Sequence, residues 1–172
     1  MTKLRIANLL GALSGEVVER LQTQMRRHPN STDSTSAALN VLAMWEGCSN
    51  AELAGVLGLS HSAAVRLLDK LEAEGLVMSA PGKDQRTVAL SLTASGKARA
   101  REILVERCAV LVDVIDVLTP AEQDTLGGLL EKLLRGVTTS MDHAGHICRL
   151  CDTVACPEDR CPVHQQALAL AR

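Results

Sequence analysis

Apolar residues recur at helical spacing from the first turn of the chain onward. Leu9, Leu13, Val17 and Leu21 fall four apart, with Leu10 and Met25 beside them, which predicts a first helix with one apolar face. HPNSTDSTS, from His28 to Ser36, is a polar loop ending in possible helix caps, and Ala37 to Trp45 reads as a second helix. Ser49 stands three residues before Glu52, the spacing of a capping box, so a short helix is expected from about Asn50 to Leu57. Gly58 supplies a turn and Ser60 caps the next helix, whose apolar positions are Ala64, Leu67, Leu68 and Leu71. Gly75 sits where a left-handed residue ends such a helix. Two strand-like runs follow, Leu76 to Met78 and Thr87 to Leu92, with the turn PGKDQR between them. Thr93 can then cap a long helix carrying Ile103, Leu104, Leu111, Val114, Ile115 and Leu118 on one side. Thr119, Pro120 and Glu122 stop it and start another, which bears Leu126, Leu129, Leu130, Leu133, Leu134 and Val137. Gly127-Gly128 inside it predicts a kink or a close helix crossing.

Helix, turn, helix and hairpin make a winged helix-turn-helix, so the expected fold is mainly α with a small β-wing, flanked by N- and C-terminal dimerisation helices. Three long apolar helices outside a small module need a surface to bury against. A second copy of the chain is the commonest answer; a monomer that hides the same faces internally is the alternative.

The stretch resembles the MarR family of bacterial transcriptional regulators. The matching residues are Leu53 and Ala54, Leu59-Ser60, RLLDKLEAEGLV (Arg66 to Val77), Asp84-x-Arg86, and Leu92-Thr93 with Gly96. The likeness extends loosely over residues 4–141, which gives an expected DNA-binding and dimerisation domain at 1–141 and a separate tail at 142–172. It implies an obligate homodimer, a recognition helix in the major groove and a wing arginine, Arg86, at the minor groove. It also implies a small-molecule effector held between the dimer helices and the DNA module, whose identity the sequence does not give.

With the leucines of the second helix of the pair turned inward, its other face offers Ser60, His61, Ser62, Val65, Arg66, Asp69 and Lys70. Early residues of a recognition helix meet base edges. Arg66 suits guanine or phosphate, Ser62 either, and Ala63 and Val65 suit thymine methyl groups. Lys83 and Arg86 would reach phosphate or a narrow minor groove, with Asp84 orienting the arginine. The function expected is therefore a double-stranded DNA-binding regulator, a repressor in the first reading, acting on a pseudo-palindromic operator. The alternative is a protein-docking module, since a winged helix alone does not fix function.

Composition narrows this further. Of 172 residues, 47% are apolar, yet Trp45 is the one aromatic, so the core must be aliphatic and stacking on single-stranded nucleic acid is disfavoured. The net charge of −2 argues against indiscriminate binding to polyanions while leaving room for a locally basic face. No run approaches the roughly 18 apolar residues of a membrane span. The opening MTKLRIANLLGALSG has the look of a signal peptide, but its stripe continues through Glu16, Glu19 and Arg20, so it is read as a helix of a cytoplasmic protein. No phosphate-binding loop, nucleophile elbow or paired catalytic carboxylates stand out, so no enzyme is expected.

The tail changes character. HAGHICRLCDTVACPEDRCPVHQQ carries Cys148, Cys151, Cys156 and Cys161, flanked by His143, His146 and His164. Four thiolates meet the ligand count for tetrahedral zinc. The spacing also resembles a retroviral-type zinc knuckle, with Cys156 in place of its histidine and without its glycines and aromatic residue. An iron–sulfur cluster is the alternative cofactor, Cys156 and Cys161 each preceding a proline. Reversible disulfides, or reduced thiols in a tail without a core, are further readings, and constitutive disulfides do not suit the cytosol. With four thiolates filling a tetrahedron, the histidines are expected at the surface or behind the ligands. Cys48 and Cys108 lie in apolar helical patterns and read as packed small residues.

Overall fold

The computed structural model describes residues 2–26, 28, 31–82 and 88–172. Its elements follow in the order α1 (Lys3–Met25), α2 (Asp33–Met44), α3 (Asn50–Leu57), α4 (His61–Ala73), β1 (Val77–Pro81), β2 (Val88–Leu92), α5 (Ala94–Ile115), α6 (Pro120–Val137), α7 (Met141–Cys148) and α8 (Pro162–Leu170). The expected helices are present, and the second starts earlier than its apolar pattern suggests. Thr32 is the reason: its hydroxyl accepts from the Thr35 N–H at 3.1 Å, so the polar DST run becomes the first turn.

At α3, the Glu52 carboxylate accepts from the Ser49 N–H at 2.7 Å and Ser49 Oγ accepts from the Glu52 N–H at 3.3 Å, completing the capping box. Gly58 ends the helix with φ 66°, a conformation that costs a side chain but not glycine. Ser60 Oγ then caps α4 through the Ala63 N–H. The hairpin runs in antiparallel register from Val77 opposite Leu92 to Pro81 opposite Val88. Its base is buried and its far end exposed, and two backbone hydrogen bonds tie Gly47 and Cys48 to Leu90.

The core is aliphatic. Leu39, Leu42, Leu53, Leu71 and Leu90 are fully buried, and every residue from Thr35 to Leu42 is inaccessible, so α2 is the hub of the module. Ala100 and Ile103 of α5 pack against it. By contrast, α1 and α6 contain no buried residue. Helix α6 runs unbroken through Gly127-Gly128, and a side chain at either would meet nothing within 4 Å. The glycines therefore do not interrupt the helix, and no close crossing meets them among the described residues of this chain. No helix among the described residues is long and apolar enough to cross a membrane.

Candidate nucleic-acid interface and thiol cluster

Helix α4 turns Ala64, Leu68 and Leu71 into the core. That orientation leaves Ser60, His61, Ser62, Arg66 and Asp69 exposed on the opposite side, with Val65 and Lys70 half-buried beside them. Arg66 has no ion-pair partner among the described residues, whereas Lys70 lies 4.0 Å from Glu74 one turn on. Ser62 Oγ sits 3.3 Å from Ser60 Oγ, so the cap and the first helical hydroxyl share one small polar patch. The far end of α4 is fastened to α5. Gly75 adopts φ 68°, and its carbonyl accepts from Thr93 Oγ1 at 2.7 Å and Ser95 Oγ at 2.9 Å. The wing residues Lys83, Asp84 and Arg86 lie outside the described residues; the strands that carry them project from the same module.

The cysteine segment is not a coreless tail. Its ends are α7 and α8, which enclose a small core of Ala144, Cys161, Val163 and Ala167, with Leu134 of α6 packed against it. Pro162 favours the start of α8 and Ser140 caps α7 through the His143 N–H. Single cysteines separated by polar residues hide this from a hydrophobicity pattern, because two of the core positions are alanine. Cys148 ends α7, Cys151 and Cys156 lie in the intervening loop, and Cys161 precedes α8. All four line one cavity of about 680 Å³, together with Met44, Trp45, Glu158 and His164.

Cys148 Sγ is 3.9 Å from Cys161 Sγ, and the Cys151 and Cys156 side chains line the same cavity. The Cys148 thiol donates to Cys151, which pushes Cys148 well above the usual thiol range, with burial adding to it. The same bond, helped by the Arg107 guanidinium of α5, holds Cys151 down to about 7 against burial and Asp152. Burial, with Cys161 and Cys151 nearby, pushes Cys156 up to about 11.

Contacts that the sequence patterns did not foretell hold this lobe to the helix-turn-helix module. Asn40, buried in α2, donates both amide hydrogens across the gap, to the carbonyls of Arg149 at 3.0 Å and Cys151 at 3.1 Å. A lone amide inside the apolar run AALNVLAM was the available signal. His146 Nδ1 lies 3.0 Å from the Val56 carbonyl near the end of α3, and a side chain on Gly145 would come within 3.3 Å of Val56. His146 is thus a docking residue. His143 is hydrogen-bonded to Thr139 Oγ1, and His164 lies 3.1 Å from Glu158. Cys48 is buried in the main core, with its thiol pushed up to about 11 chiefly by burial, as a packed small residue should be.

A second cavity of about 220 Å³ lies between α1, α2 and α5, with an apolar wall of Val18, Leu21, Met25 and Ile103. Its polar edge includes Arg107 and the pair His28–Glu106, with Nε2 2.7 and 2.9 Å from the two carboxylate oxygens. Glu102 completes the only three donors that all lie within 4.8 Å of one another among the described residues. That carboxylate is exposed and engaged by Arg99 at 2.6 Å.

A capped helix pair with a polar outward face, followed by a hairpin, is a winged helix-turn-helix, a fold of transcriptional regulators. Residues 32–88 match the model of the MarR family of regulators. It is 27% identical to the transcriptional repressor MdtR of Bacillus subtilis over 125 residues, 70% of this chain and 81% of that one. The structure of YusO from Bacillus subtilis superposes with a TM-score of 0.66 at 25% identity, covering 75% of this chain and 92% of that one. Streptococcus pneumoniae FabT, solved in complex with DNA, has the same fold, with a TM-score of 0.66 at 19% identity over 79% of this chain and 97% of that one.

Proposed function

We propose that the chain acts as a homodimeric repressor that binds a pseudo-palindromic duplex operator, each protomer placing α4 in the major groove. The observation that carries this reading is the face of α4. Its inward leucines are buried, and its outward side presents two hydroxyls, an imidazole and Arg66 to a partner outside the chain. The dimer is supported by the flanking helices. Leu9, Leu10 and Leu13 of α1 and Leu129, Leu133 and Val137 of α6 are each half exposed or more, an apolar surface on each helix that a partner chain would cover. Two-fold pairing through those helices sets the two copies of α4 at a fixed separation.

Repression is supported by the relative MdtR, a repressor by name, and duplex binding by the complex of FabT with DNA. Control by a small effector is supported by the 220 Å³ cavity between α1, α2 and α5, whose apolar wall and charged edge suit a small amphipathic molecule. The cysteine cluster supplies a second input, through bound metal or thiol state.

Fluorescence anisotropy with duplexes from the DNA flanking the protein's own gene tests the reading. Saturable, sequence-dependent binding is expected, with affinity falling steeply as salt rises. Arg66→Ala should weaken it by about 1–3 kcal/mol. Binding that is equally tight to any duplex, or unaltered by Arg66→Ala, refutes a recognition role for α4.

A further inference from the structure

We propose that Cys148, Cys151, Cys156 and Cys161 together hold one zinc ion, and that the metal-closed lobe braces the helix-turn-helix against α6. The first half stands on the thiol geometry alone. The consequence for DNA affinity rests on the reading given under Proposed function.

The lobe needs a fastening. It spans about thirty residues and its own core is two alanines, a valine and a cysteine. Segments shorter than about 40 residues seldom hold together on apolar burial and use metals or disulfides instead. The sulfurs are the only feature of the lobe with that capacity. Tetrahedral zinc with bonds of about 2.3 Å places its sulfur ligands about 3.8 Å apart. Cys148 and Cys161, at the two structured ends of the lobe, already stand 3.9 Å apart. Cys151 and Cys156 line the same cavity from the loop between these two, and there the loop side chains must swing inward to complete the tetrahedron. A four-iron cluster gives each thiolate its own iron and spreads the sulfurs further than this. Binding displaces the remaining thiol protons and leaves a tetrathiolate centre of net charge −2, a charge that the Arg107 guanidinium of α5, which already lowers the Cys151 thiol, favours.

The brace follows from what the lobe touches. Asn40 of α2 grips the carbonyls of Arg149 and Cys151, inside and at the end of the Cys-x-x-Cys turn. His146 and Gly145 sit on Val56 of α3. Leu134 ties the far side of the lobe to α6. A single small body thus bridges the helix-turn-helix module and α6 within one chain. Loosening it frees α3, and with it α4, to shift relative to α6.

The test uses the full-length chain, reduced and stripped of metal, and titrated with Co²⁺ as a spectroscopic probe and then with Zn²⁺. One tetrahedral tetrathiolate cobalt site per chain is expected, displaced by zinc and lost in Cys148→Ser and Cys161→Ser. Zinc should slow amide exchange in α3 and at the end of α6, not only in the lobe. Duplex affinity should differ between zinc-loaded and stripped protein by about tenfold, within the usual range of coupling between sites. Asn40→Ala should keep the cobalt spectrum but reduce that difference. Absence of a cobalt site, or isolation of the chain with several irons bound, overturns the assignment of the ion. Metal uptake that leaves exchange in α3 unchanged overturns the brace. Failure of loaded and stripped protein alike to bind any duplex contradicts the DNA reading instead, leaving the cobalt and exchange results to decide the metal site.

Discussion

Gly96 shows how little freedom some single positions have. A side chain there would overlap the Leu76 carbonyl oxygen and press on Leu92, because α5 begins directly against the turn between α4 and β1. Gly96→Ala should therefore destabilise the chain by about 1–3 kcal/mol, the usual cost of overpacking, read as a lower midpoint in urea. An unchanged midpoint would mean that α5 starts further from the hairpin than described. Gly96 belongs to the motif that the sequence displays, but its purpose is visible only in three dimensions. Asn40 is the opposite case: nothing in its neighbours announces a partner 109 residues away, since long-range pairing leaves no local periodicity. The same holds for His146, which a reading by ligand count places behind the thiols and the structure places on the Val56 carbonyl. At the wing, Arg86→Ala is expected to reduce the slope of log affinity against log salt by about 1, the signature of one lost phosphate contact.

At the scale of elements, helix ends were the most legible feature because capping chemistry is local. Ser49, Ser60 and Thr93 cap the helices that their positions foretold, and Thr119 and Glu122 pair as expected. Ser49→Ala should cost about 1 kcal/mol. Glu52 and Glu122 are both held below the usual carboxylate range by hydrogen bonds from the residue that opens their helix. A depressed carboxyl binds protons more weakly folded than unfolded. Its contribution is therefore present above the unfolded pKa and lost as pH falls through the folded one. Acid titration of Ser49→Ala should show a smaller stability loss than the wild type over that interval; equal losses would exclude the capping box as a source. The elements that sequence missed were α7 and α8. Their buried positions are alanine, cysteine and one valine, too weak an apolar signal beside four cysteines and three histidines.

For the molecule as a whole, two bodies of apolar surface remain without a counterpart among the described residues, one on α1 and one on α6. Between them and the DNA-facing helix lie α5, fastened to Gly75 through Thr93 and Ser95, and the thiol lobe, fastened to α2 and α3. Either connection can carry a change at α1 and α6 to α4. Leu133→Glu, on the exposed side of α6, should leave the helix-turn-helix folded but shift the chain toward monomer in sedimentation and lower operator affinity together with it. Fully dimeric Leu133→Glu would remove α6 from the interface.

The central claim, that two identical chains hold paired reading helices against one duplex, is met most directly by a hydroxyl-radical footprint combined with the mass of the protein–DNA complex. The account predicts two protected patches roughly one helical turn apart and two chains per duplex. One chain per duplex, or a duplex left uniformly unprotected at low salt, would contradict it.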